Sequence, residues 1–137
     1  MQALAIAACF QEDWPLLIIS PSSMRLQWAN ELEKWYDMVT PDEIDVVLSG
    51  KATSLRGKIA IVSYQLVHRY CTFSLSLLMS LSAQKTFLAY SLAQVIEQKR
   101  FGVVILDESH SIKSFSAQRT KAVMPIVQRA KRAIMLS

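Results

Sequence analysis

Two stretches of the chain, Leu16-Leu17-Ile18-Ile19 and Val103-Val104-Ile105-Leu106, are apolar at every position. A continuous short run predicts a strand covered on both faces, as in parallel sheets. Residues 44–48 and 59–62 are β-branched runs that predict two more strands, and 133–136 predicts a last one. Between them the period changes. Residues 1–10 are Ala-rich and apolar almost all round, which predicts a buried helix. Over residues 24–36 the apolar positions Met24, Trp28, Leu32, Trp35 and Tyr36 share one helical face, so both tryptophans are expected in the core. Pro21-Ser22-Ser23 ends the first strand and offers hydroxyls to cap that helix. Pro41 opens an acidic turn through Asp42 and Glu43. Ser49-Gly50-Lys51 and Arg56-Gly57-Lys58 read as loop, a helix starts over 64–69, and another covers 116–129. Alternating strands and helices with uniformly apolar strands predict an α/β fold with a mainly parallel sheet. No internal repeat is visible.

Composition narrows the chemistry. A chain of 137 residues that is 52% apolar and 19% charged fits one domain and argues against disorder. Its three glycines are Gly50, Gly57 and Gly102, and no two frame a G-x-G-x-x-G or a G-x-x-x-x-G-K-[ST]. Gly50-Lys51 comes nearest, with Asp45 in place of the first glycine and Ala52 in place of Ser/Thr. The net charge of +4 is uneven: residues 1–98 carry −2 and residues 99–137 carry +6. A basic segment suits a polyanion such as nucleic acid, and equally a solvated basic face. Cys9 and Cys71 form no ligand spacing, and His68 and His110 are too few for a zinc cluster. The cysteines are expected as plain core or insert residues and His68 on a helix surface. The start has no basic n-region and no cleavage signature. The most membrane-like stretch, 71–93, is broken by Gln84, Lys85 and recurrent serines, so no membrane span is expected.

Asp107-Glu108-Ser109-His110 follows the 103–106 run directly. Ligands of parallel α/β sheets bind beyond the carboxyl ends of strands. Two adjacent carboxylates there can divide the work. One holds Mg²⁺ through its water shell and the other deprotonates an attacking water. His110 is placed to sense a phosphate. A bare Asp-Glu pair also fits a turn in which Asp107 caps a helix, but the apolar strand with D-E-x-H is more specific.

The segment 103–110, followed by Ile112-Lys113, resembles the Walker-B motif of superfamily-two helicases in its Swi/Snf-type form. Other segments agree in order. Leu17 to Ser23 with Trp28, Glu31 and Trp35 resembles motif Ia, and Ile61-Val62-Ser63-Tyr64 the strand-to-helix segment with its Ser/Thr-Tyr pair. Ala130 to Ser137 resembles the strand leading into motif III. Trp14-Pro15-Leu16-Leu17, Ser49-Gly50-Lys51 and Met124-Pro125-Ile126-Val127 are most similar to the annealing-helicase branch, with the HARP and zinc-finger RAN-binding-domain-containing proteins.

The resemblance implies a RecA-like α/β lobe across residues 1–137, a partial helicase ATP-binding domain truncated at both ends. In the family a glycine-rich P-loop precedes a helix beginning like Met1-Gln2-Ala3-Leu4, motif III runs on past Ser137, and a second lobe follows. It implies ATP and Mg²⁺ as cofactors, with Asp107 holding Mg²⁺, Glu108 activating water and His110 coupling nucleotide state to DNA. Duplex or forked DNA would be the partner, contacted by Ser22, Ser23 and Lys113, and the location would be nuclear. Trp28 and Trp35 could stack on bases. Arg119, Lys121, Lys131 and Arg132 are further candidates for a DNA backbone or a solvated surface. About residues 70–92 the resemblance lapses. That stretch is an atypical insert, a gene-model artefact or a longer amphipathic helix. With no P-loop in its 137 residues, the chain alone is expected to be inactive. The alternatives are a non-catalytic module that binds nucleic acid or a partner, and a fragment without a stable fold.

Overall fold

The computed structural model describes residues 2–51, 54–71, 92, 94–112 and 118–137. Its elements are α1 (Gln2–Ala8), β1 (Leu16–Ser20), α2 (Arg25–Trp35), β2 (Ile44–Val46), β3 (Ile59–Ser63), α3 (Tyr64–Cys71), β4 (Val103–Leu106), α4 (Gln118–Arg129) and β5 (Arg132–Met135). Residues 94–99 are helical as well. The stretch expected as an insert lies, from residue 72 to 91, outside the described residues.

The five strands form one parallel sheet in the order β2-β3-β1-β4-β5. β1 is flanked by β3 and β4, with Ile18 opposite Ile61 on one side and Ile105 on the other. Strand side chains alternate between faces, so a strand apolar throughout needs two cores. Both are present. Leu17, Ile19, Ala60, Val62, Val104 and Leu106 pack with α3, α4 and the helical residues 94–99. Leu16, Ile18, Ile59, Ile61, Val103 and Ile105 pack with α1 and α2 on the other face. This architecture is the α/β, RecA-like one expected, with a sheet flanked by helices.

Four local expectations are corrected. α1 buries one face only, through Ala3, Leu4 and Ala7, while Ile6 is 45% exposed. Its alanines carry too little apolar surface to demand cover all round. Trp35 is 48% exposed and outside the core; its indole N–H donates to Glu31 Oε2 at 2.8 Å, and the Lys34 ammonium lies over its ring. Cys9 is exposed. The Ser22 and Ser23 hydroxyls do not cap α2, because a 3-10 turn at Ser22–Met24 intervenes and the cap residue is Met24. A hydroxyl that does cap an α-helix is Ser63 Oγ, which accepts from the Leu66 N–H at 3.3 Å at the start of α3.

The amino ends of the strands are closed by short polar contacts. Lys131 and Arg132 pair with Asp13 at 2.6 and 3.6 Å, and hold its carboxyl below the ordinary value; the Lys131 hydrogen bond is the main cause. The Lys99 ammonium donates to the carbonyls of Leu55 and Gly57. Gly102 lies against the Asp13 carbonyl, where a Cβ would collide with backbone.

Candidate functional site at the carboxyl edge of the sheet

The carboxyl ends of β1, β3 and β4 meet at Asp107. Its backbone N–H donates to Ile19 C=O at 2.9 Å, continuing the β1–β4 ladder one residue past the strand. Its carbonyl accepts the Tyr64 hydroxyl at 2.7 Å. Tyr64 opens α3 immediately after β3, so the order β3-β1-β4 brings it across the end of β1 to the tip of β4. Burial pushes the Tyr64 hydroxyl well above the ordinary phenol value, and the charges of Asp107 and Glu108 add to the shift. It therefore stays a donor.

The carboxylate of Asp107 is held from the opposite face of the sheet. The Trp28 indole N–H donates to Asp107 Oδ2 at 2.8 Å. Trp28 is 8% exposed and belongs to the α1/α2 core. Helical spacing places it correctly in the core but does not reveal the partner of its polar end. The signal available in the sequence is its position on the helix after β1, the strand that neighbours β4.

Glu108 has a φ of 52°, in the left-handed region. For a residue with a Cβ this costs roughly 1 kcal/mol or more. The turn it makes leads into a 3-10 segment at Ser109–Ile112. Two contacts fix that turn. The Ser109 N–H donates to Leu136 C=O at 2.6 Å, and His110 Nδ1 lies 2.9 Å from Glu108 Oε2. The Glu108 and His110 side chains are both about half exposed. Asp107 is thus locked into the fold, whereas Glu108 and His110 pair with each other at the surface.

A SNF2-related domain model matches residues 2–137. The chain belongs to the SNF2-related domain family. A DNA annealing helicase and endonuclease ZRANB3 from Bos taurus is 38% identical over the whole chain, and the human one 36%. A SWI/SNF-related matrix-associated actin-dependent regulator of chromatin subfamily A-like protein 1 from Xenopus tropicalis is 32% identical, again over the whole chain. The chain spans only 11% to 12% of the length of these relatives.

Within this SNF2-related domain, the other residues singled out from sequence fall into four groups. Ser22 and Ser23 lie at the same carboxyl edge as Asp107, in the turn after β1. The Ser22 hydroxyl donates to Gln65 Oε1 at 2.9 Å, tying that turn to α3, and Ser23 is exposed. Lys113 lies outside the described residues. Lys131 and Arg132 sit at the opposite edge in their pairs with Asp13, so they do not join Ser22 and Ser23 in one basic track. Arg119 and Lys121 are exposed in the first turn of α4.

Among the described residues no group of three or more His, Cys, Asp or Glu side chains is arranged to hold a metal ion. Mg²⁺ keeps most of its waters and takes one or two carboxylates beside a phosphate ligand, a donor set that a single carboxylate can serve. With Oδ2 engaged by Trp28, Asp107 has Oδ1 to offer. No helix among the described residues is long and apolar enough to cross a membrane.

Proposed function

We propose that this SNF2-related domain is part of an ATP-dependent DNA translocase of the nucleus, one that rewinds or remodels duplex or forked DNA. The observation that carries the reading is Asp107-Glu108 at the tip of interior strand β4, beside the turn after its neighbour β1 that bears Ser22 and Ser23. When bound, Mg²⁺·ATP supplies a polarised γ-phosphoryl group whose transfer is governed by positioning and charge. Asp107 presents one carboxylate oxygen at a fixed place. Glu108, once turned from His110, accepts the proton of an attacking water. His110, paired with Glu108 in the structure, couples that carboxylate to the occupancy of the edge. Ser22 and Ser23 offer hydroxyls to a DNA phosphate, with Lys113 as a further contact.

The residues 1–137 contain no phosphate loop, so the purified chain is expected to hydrolyse no ATP with or without DNA. DNA-stimulated turnover by the chain that Glu108→Gln abolishes would refute this. In a longer protein carrying the loop and a second lobe, Glu108→Gln should lower turnover by roughly 10²- to 10⁴-fold. Turnover within tenfold of wild type would remove Glu108 from the role of base. A second reading is favoured by exposed Arg119 and Lys121. In it, the chain is a binding module for nucleic acid, with salt-dependent affinity and no turnover in either form.

A further inference from the structure

Trp28 and Asp107 are 79 residues apart in sequence, yet the indole N–H lies 2.8 Å from Oδ2. A core tryptophan needs a partner for its one donor. A backbone carbonyl can serve, as it does for Trp14 with Ala7 C=O at 3.1 Å. Trp28 instead directs its donor to the carboxylate at the tip of β4. The indole has no acceptor and no second donor, so the contact is directional. It takes one of the two oxygens and fixes the rotation of the carboxylate. The ring itself belongs to the α1/α2 core, whose members on its own helix include Ala29 and Leu32.

We infer that Trp28 is a positioning residue for the divalent cation at Asp107: its indole N–H pins Oδ2 and leaves Oδ1 aimed at the metal's water shell. The inference rests on the reading of Asp107 given above. Partners of this kind raise metal affinity by orienting the ligand before the ion arrives, and their removal commonly costs about ten- to a hundredfold.

The test uses the ¹⁵N-labelled chain with Mn²⁺ as a paramagnetic probe, and it reads affinity without any turnover. Broadening of the Asp107 backbone amide against Mn²⁺ concentration gives the wild-type curve. Asp107→Ala should abolish it. Trp28→Phe should keep it but move the midpoint up about tenfold. Leu32→Ala, which loosens the same core without touching the donor, should leave the midpoint unchanged. A Trp28→Phe midpoint equal to wild type overturns the inference and leaves the reading of Asp107 standing. Absence of Asp107-dependent broadening in the wild type overturns both. The wild-type chain gives a second measurement should Trp28→Phe not fold. The Trp28 indole proton should shift in Asp107→Ala while that of Trp35, bonded to Glu31, does not; an unmoved Trp28 signal would also overturn the inference.

Discussion

At the scale of single residues, Asp107 has its backbone and its carboxylate secured by different parts of the fold. Tyr64 reaches its carbonyl and Trp28 its Oδ2. The Asp-Glu pair is legible from sequence because an apolar strand followed by acids is a local pattern. Its two aromatic partners are not, because each arrives through strand order rather than spacing. Ser22 shows the same limit: its place before α2 suggests a helix cap, and the hydroxyl bonds Gln65 in another helix. The Tyr64 hydrogen bond makes a specific prediction. Tyr64→Phe keeps the buried ring, which is 3% exposed, and removes only the bond to the Asp107 carbonyl. It should cost about 1 kcal/mol, the usual worth of such a bond. Urea denaturation of the two chains measures it; equal midpoints would show the hydroxyl to be dispensable.

Among the elements, the strands are readable and the helix faces less so. A strand buried on both sides has one solution, which is why the Val103–Leu106 strand appears as expected. A helix with scattered apolar residues has several, and in α2 the buried set is Trp28, Ala29 and Leu32, with Trp35 outside. α1 is a seven-residue helix held by two side chains beyond its own bonds. The Tyr36 hydroxyl donates to the Leu4 carbonyl and the Trp14 indole to that of Ala7. Burial, with a smaller contribution from the charge of Cys9, pushes the Tyr36 phenol up to about 12. An unfolded tyrosine ionises near 10. Between those values the unfolded chain loses this proton and the folded chain keeps it. The contribution is therefore complete below pH 10 and is lost as pH rises toward 12. Thermal unfolding should show a steeper alkaline decline for wild type than for Tyr36→Phe. Parallel slopes would mean that Tyr36 does not stay protonated in the fold.

Over the whole molecule, the parallel sheet separates two sets of charges that sequence order merges. The basic excess of residues 99–137 suggests one polyanion surface when read linearly. In the fold, Lys131 and Arg132 meet Asp13 at the amino edge, Arg129 meets Glu97 at 2.5 Å, and Lys99 serves backbone carbonyls. Those cations are engaged within the chain. The proposed DNA-binding residues Ser22 and Ser23 lie at the carboxyl edge with Asp107. If DNA follows that edge, the double change Lys131→Ala with Arg132→Ala should leave both affinity and its salt dependence unchanged. A cation that neutralises a phosphate contributes roughly 0.9 to the slope of log K against log salt on duplex DNA. Fluorescence anisotropy at several salt concentrations reads that slope directly. A fall of about two in the double variant would show that both side chains leave Asp13 for phosphates. The DNA path would then run across the amino edge, away from Asp107, and the coupling proposed for His110 would lose its structural basis.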